Sequence, residues 1–158
     1  MMREDLIKRA EQRVDELAPE ILSVSHTIFE NPELAFQEFQ SAELLENTVK
    51  AHGFTAVRGT GELQTAIRAE HKPRSDALNI GFISEFDALP NGHACGHNLI
   101  AASGVWAAIV FDELVRQCDL PANSIFLGTP AEEGGGGKIK MLDAGMFDGI
   151  DYAMMIHP

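Results

Sequence analysis

From residue 77 onward, short apolar runs alternate with longer segments, and this alternation constrains the fold more than any other feature. The runs are Ala77–Ser84, Ser124–Gly128 and Asp151–Ile156. Each is short and flanked by polar or turn residues, which suits a strand buried on both faces. Between the first two lies Asn98–Gln117, apolar on most sides and too long for a strand, so it predicts a buried helix. Between the second and third lies Lys138–Ala144, a shorter helix stopped by Gly145. Strand, helix, strand, helix, strand implies right-handed crossovers and an α/β fold: a mostly parallel sheet with helices on both faces.

Upstream the period is helical. Ile7, Ala10, Val14, Leu17, Ile21, Val24 and Ile28 recur at three- and four-residue steps, predicting a helix from residue 4 to about 30. Pro19 is expected to kink or split it, and Asn31-Pro32 to end it. A second helix is expected over Ser41–His52, before Gly53, and strands over Thr55–Arg58 and Leu63–Ala69. No repeat, low-complexity linker or domain boundary interrupts residues 1–158. The chain stops one residue after a histidine at a strand end, so it is expected to be the first part of a longer domain.

Composition narrows the partners. Apolar residues make up 45% of the chain, enough for a core, and the net charge is -12. That charge argues against nucleic acid or an anionic membrane as partner, since both reward positive charge. The apolar stretch Leu99–Phe111 falls short of the ~18 residues of a membrane span. The N-terminus is charged from its third residue and lacks an apolar signal core. Two cysteines do not make a disulfide scaffold. A soluble, cytoplasmic protein is expected.

In a parallel α/β sheet the reactive edge lies beyond the carboxyl ends of the strands. After Ala77–Ser84 come Glu85, Asp87 and the segment His93-Ala94-Cys95-Gly96-His97; after Ser124–Gly128 come Glu132, Glu133 and four glycines; after Asp151–Ile156 comes His157. Three consecutive strands thus deliver carboxylates, a thiol and imidazoles to one edge. His93, Cys95 and His97 alternate at a spacing of two, which in an extended segment puts three metal-capable side chains on one side. A lone histidine is ordinarily a hydrogen-bonded residue, but three such groups in five residues point to a metal. Cys118 has only Asp119 beside it as a candidate ligand and is read as structural. Adjacent glutamates are ordinarily solvated charges; here they lie between a buried strand and Gly134–Gly137. One can face a metal while the other takes a proton from water whose pKa the metal lowers to about 7. A phosphate loop is excluded because Ile139 follows Lys138 and Glu132 holds the earlier glycine position, and no nucleophile elbow is present.

Four segments then resemble one family: Asp87–Pro90 (DALP), His93–Asn98 (HACGHN), Gly128–Lys138 (GTPAEEGGGGK) and Met154–Pro158 (MMIHP). They look like the aminoacylase/carboxypeptidase amidohydrolases, co-catalytic metallopeptidases related to carboxypeptidase G and the indole-acetyl-amino-acid hydrolases. Asn31-Pro32-Glu33-Leu34 matches their NPEL segment. The resemblance implies a catalytic α/β domain interrupted by a lid domain, the lid being absent from this chain, and a homo-oligomer. It implies two divalent metal ions (zinc, or manganese, cobalt or nickel) that serve hydrolysis of an N-acyl-amino acid, an aminobenzoyl-glutamate-like conjugate or a dipeptide. Carried over by residue, Cys95, His97, Glu133 and His157 would be metal ligands, with Cys95 bridging. Glu132 would be the general base and Asp87 an orienting carboxylate. Asn98 stands where many members have Asp, which resembles the subgroup of aminobenzoyl-glutamate hydrolases and dipeptidases. The late histidine ligand is missing with the lid, so the chain alone is expected to be inactive. Two other readings stay open: a metal-binding fragment without activity, and a redox or metal sensor based on Cys95.

Overall fold

The computed structural model describes residues 3–71 and 74–157. Helix α1 (Arg3–Glu30) and helix α2 (Phe39–Ala51) precede strands β1 (Thr55–Arg58) and β2 (Ile67–Glu70). Then come β3 (Leu78–Glu85), α3 (His97–Cys118), β4 (Ala122–Thr129), the single turn α4 (Glu132–Gly135), α5 (Gly137–Asp143) and β5 (Tyr152–Met154). The five strands form one sheet in the order β1-β2-β4-β3-β5. Strands β4, β3 and β5 are parallel, as the alternation with helices requires. Antiparallel β2 and β1 extend the sheet beyond β4, so the sheet is mixed and its parallel half carries the segments singled out by sequence.

Both faces are covered. Side chains alternate along a strand, and in β4 this sends Phe126 to one face and Ile125 and Leu127 to the other. Phe126, with Ile80 and Phe82 of β3, packs against Leu17, Val24 and Ile28 of α1, Leu45 and Val49 of α2, and Val105 and Ile109 of α3. Ile125 and Leu127 pack against Met141 of α5, with Ile83, Phe147 and Ile150 around them. By length and composition α3 is apolar enough to cross a membrane. Here it is the central core helix, held between the sheet and α1, with Val105, Ala108 and Ile109 fully buried.

Several element expectations are corrected. Pro19 does not split α1, which is helical from Arg3 to Glu30; its apolar stripe lies against α3 on both sides of the proline, and that packing outweighs one missing backbone bond. Helix α2 starts two residues before Ser41, because Glu33 caps it from outside. The Glu33 carboxylate accepts the Gln40 N–H (3.0 Å), the Ser41 N–H (2.8 Å) and the Ser41 hydroxyl (2.8 Å), satisfying donors that a helix start leaves open. The stretch expected as one strand over Leu63–Ala69 divides into a 3-10 turn, Gly61–Leu63, and β2. The last strand is shorter than expected, ending at Met154.

Candidate metal centre

Strand register brings the site together. Residue pairing between β3 and β4 runs level from Leu78↔Ala122 to Glu85↔Thr129, so the loops after both strands leave at the same height. Pairing of β3 with β5 ends at Phe82↔Met154; the same offset sets Glu85 level with His157. The chain leaves β3 toward β4 over one face and reaches β5, on the other side of β3, over the opposite face. Such a reversal opens a crevice beyond the strand ends, where α/β sheets bind ligands.

The segment from Asn91 to Gly96 is a succession of tight turns, and the extended arrangement expected for His93, Cys95 and His97 is corrected. Leu89 and Gly92 exchange backbone hydrogen bonds (3.2 and 2.9 Å), the Ala94 N–H reaches Gly92 O (2.9 Å) and the Gly96 N–H reaches His93 O (3.1 Å). Gly96 sits at φ +79° immediately before α3, a conformation that disfavours any side chain. The turns separate the three side chains. Cys95 and His97 face the crevice. His93 is 6% exposed, beside the Ile28 backbone, with neither ring nitrogen hydrogen-bonded. Burial, then the nearby His97, pushes the His93 pKa down.

His97 is the centre of the site and is fully buried. Its Nδ1 lies 2.8 Å from the Asp87 carbonyl oxygen and 3.0 Å from Asp87 Oδ1. Two acceptors on one nitrogen place the proton on Nδ1 and turn the Nε2 lone pair outward, the tautomer a ligating imidazole needs. Nε2 lies 3.3 Å from Glu85 Oε2 and 3.7 Å from Glu133 Oε1. Burial opposes charge on His97, but Asp87 and Glu85 outweigh it and raise its pKa. Asp87 itself is fully buried; burial would push it up, yet the His97 hydrogen bond and the Glu133 and Glu132 backbone N–H groups hold it below the ordinary aspartate range. Its Oδ2 accepts the Glu133 N–H at 3.0 Å. Asp87 therefore ties the loop after β3, the start of α3 and the start of α4 to one another, an orienting position.

Glu132 and Glu133 open α4 and both are exposed. Ala131, before them, has φ +56°, a strained state for alanine. It is held by Glu38, whose buried Oε1 accepts the Ala131 N–H (2.9 Å) and the Phe36 N–H (2.9 Å) while Oε2 accepts the Thr65 hydroxyl (2.8 Å). The glycine run has a steric cause at Gly137, where a Cβ would lie 1.8 Å from the Pro130 carbonyl oxygen.

Two donor sets result. Cys95, His97 and Glu133 each place one ligand atom within 4.8 Å of the others, and so do Glu85, His97 and His157. Continuing beyond β5, His157 lies with its Nε2 3.6 Å from Glu85 Oε2 and its ring edge-on to His97 at 5.9 Å between centroids. The four expected ligands thus converge, with Glu132 beside them, although its side chain makes no described contact there. Pro158, the last residue of the matched segment, lies outside the described residues. Glu85 was placed at this edge by sequence but given no role, and Lys138 and Glu38 were not anticipated. Glu85 ends a buried strand two residues before Asp87, which is a readable signal; Lys138, which pairs with Glu85 Oε1, gives none.

The residues fit a metal. His97 Nε2 and Glu85 Oε2 are buried without a hydrogen-bond partner, and buried polar atoms are rarely left so. Sulfur, imidazole and carboxylate donors together suit a divalent transition metal. Burial, followed by the Glu133 carboxylate, pushes the Cys95 thiol up in the metal-free protein. Cys118 lies at the far end of the 22-residue α3, roughly 30 Å away at 1.5 Å per residue, so the two cannot pair.

The chain is similar to known proteins. Residues 75–158 match the family described as peptidase family M20/M25/M40. The chain is 41% identical to the Xaa-Arg dipeptidase of Mus musculus over 97% of its length and 38% of that protein's. It is 32% identical to a subunit of the p-aminobenzoyl-glutamate hydrolase of Escherichia coli (strain K12), covering 98% of this chain and 34% of that one. Among solved structures, the Bacillus subtilis YXEP protein, described as a dinuclear metal binding peptidase from the M20 family, superposes with a TM-score of 0.78 at 26% identity, over 91% of this chain and 44% of that one. The chain therefore spans well under half the length of these relatives, and over that span its sequence and sheet place it in peptidase family M20/M25/M40.

Proposed function

We propose that residues 1–158 form the N-terminal, metal-holding part of the catalytic domain of an amidohydrolase that cleaves dipeptides or N-acyl-amino acids. The observation that carries this is the convergence of Cys95, His97 and Glu133 at one crevice, with Asp87 buried behind His97 to orient it. When bound there, a divalent ion supplies a Lewis acid that polarises the amide carbonyl and acidifies water. Cys95, His97, Glu133 and His157 would hold it. Glu132, exposed beside Glu133 at the start of α4, would take the water's proton and return it to the leaving amine. A dipeptide ending in a basic residue is favoured among substrates. Similarity to a Xaa-Arg dipeptidase supports it, and the net charge of -12 attracts cations to the surface.

The test is metal content and hydrolysis measured together on the purified protein. Uptake of about two equivalents of zinc or cobalt, with Xaa-Arg dipeptides cleaved faster than neutral dipeptides or N-acetyl-amino acids, is the expected result. Absence of stoichiometric metal would overturn the proposal, and cleavage of acyl-amino acids alone would overturn the substrate assignment.

A further inference from the structure

The ligands named by sequence leave one donor unexplained. Glu85 is 1% exposed and ends β3, where a carboxylate loses its hydration, yet its Oε2 has no hydrogen-bond partner. Instead Oε2 faces two imidazole nitrogens: His97 Nε2 at 3.3 Å and His157 Nε2 at 3.6 Å. With the His97 proton held on Nδ1 by Asp87, the closer contact sets a carboxylate oxygen against a nitrogen lone pair. Two acceptors so placed repel unless a positive charge lies between them, a second proton on His97 in the metal-free protein or a metal ion that displaces it. The other oxygen, Oε1, is paired with the Lys138 ammonium from the first turn of α5. Donor count points the same way. His97 Nε2 has one lone pair and serves one cation; with Cys95 and Glu133 it completes one triad. A second cation beside His157 would share the bridging Cys95 and still need a further protein donor; among the described residues Glu85 is the buried carboxylate grouped with His157.

We propose that Glu85 is a metal ligand through Oε2, shared with His157, and that Lys138 is a positioning residue that holds Oε1 so that the carboxylate binds through one oxygen. This rests on the metal-centre reading above and adds a residue to it. In the metal-free protein Lys138 partly neutralises the buried carboxylate; with metal bound, the charge is balanced from both sides.

Cobalt titration of the purified protein, followed by its visible absorption and by elemental analysis, tests this. Glu85→Gln keeps size and shape but offers a neutral amide, a much poorer ligand. It is expected to lose one cobalt equivalent, or to weaken one site by about tenfold or more, with a changed spectrum and the other equivalent retained. A companion variant, Lys138→Met, leaves Glu85 ionised with no ammonium beside it. Without metal it should unfold at lower temperature than the wild type, and cobalt should raise its unfolding temperature by more than it raises that of the wild type. If Glu85 serves only as the ion-pair partner of Lys138, cobalt stabilises both proteins equally, and that result overturns the proposal. So does Glu85→Gln with unchanged stoichiometry, affinity and spectrum. If Glu85→Gln does not fold, the Lys138→Met comparison decides. Wild-type protein that takes up no cobalt overturns the metal centre itself, a different and recognisable failure.

Discussion

At the scale of single residues, the proposed function gives the adjacent glutamates of α4 different parts, and their variants should fail differently. Glu132→Gln keeps a hydrogen-bonding head but cannot accept a proton. Metal content should stay at the wild-type level while turnover falls on the order of 10²- to 10⁴-fold, the usual range for loss of a general base. Glu133→Gln should instead lower metal affinity, read by elemental analysis before any rate is measured. Equal metal loss in both would remove the division of labour. Glu38 offers a stability test remote from the chemistry. Burial raises its pKa above the ordinary glutamate range, so the folded protein holds this proton more tightly than the unfolded chain does. Its contribution is fully present below the unfolded glutamate pKa and is lost as pH rises through the folded value. Glu38→Gln keeps acceptors for Phe36 and Ala131 and can donate to Thr65, without the charge. The stability difference between this variant and the wild type, from urea unfolding, should therefore shift in the variant's favour as pH increases from about 4 to about 7. Glu38→Ala strands the three donors and should cost about 3 kcal/mol near pH 4, and less as pH rises.

At the scale of elements, the short helices after β4 work as a rigid elbow. Pro130 O approaches Gly137 so closely that a methyl group there must push α5 away from β4. Gly137→Ala should cost about 1–3 kcal/mol, the usual range for overpacking, and weaken metal binding because Glu133 moves with α4. Gly134 has open space around its Cβ position and lies within α4, where alanine is the better helix former. Gly134→Ala should be neutral or slightly stabilising, and thermal unfolding of the two variants separates packing from helix propensity. The start of α3 is anchored in a second way. Asn98, the position where many members of the family carry Asp, is buried and donates from Nδ2 to Ser25 Oγ at 3.0 Å. A carboxylate there could not donate, so Asn98 joins α3 to α1 as a neutral strut.

At the scale of the whole molecule, the site is open on one side. The His157 side chain is 46% exposed and that of Glu133 29%, so water reaches these two donors although His97 and Glu85 are buried. A site that does not exclude water gains little from its electrostatics. The 158-residue chain is therefore expected to bind cobalt while hydrolysing dipeptides at a small fraction of the rate of a full-length relative. Comparable kcat/KM values for the two would show that the chain positions its substrate unaided.

The sequence by itself determined the alternation of strands and helices, because apolar runs of different length and period bury only one way each. It also determined which edge carries Cys95, His97, Glu133 and His157, since parallel strands point their carboxyl ends together. Tertiary structure decided what depends on contacts distant in the chain. The continuity of α1 through Pro19 depends on packing against α3. The inward turn of His93 follows from backbone bonds among Leu89, Gly92 and Gly96 that no side-chain spacing reports. Glu85 became a candidate ligand only because register sets it level with His157 and Lys138 reaches it from α5. Period and composition carry the first kind of information, since each residue there answers to its near neighbours. The second kind is a geometry among residues far apart in the chain, and only packing places them within bonding distance.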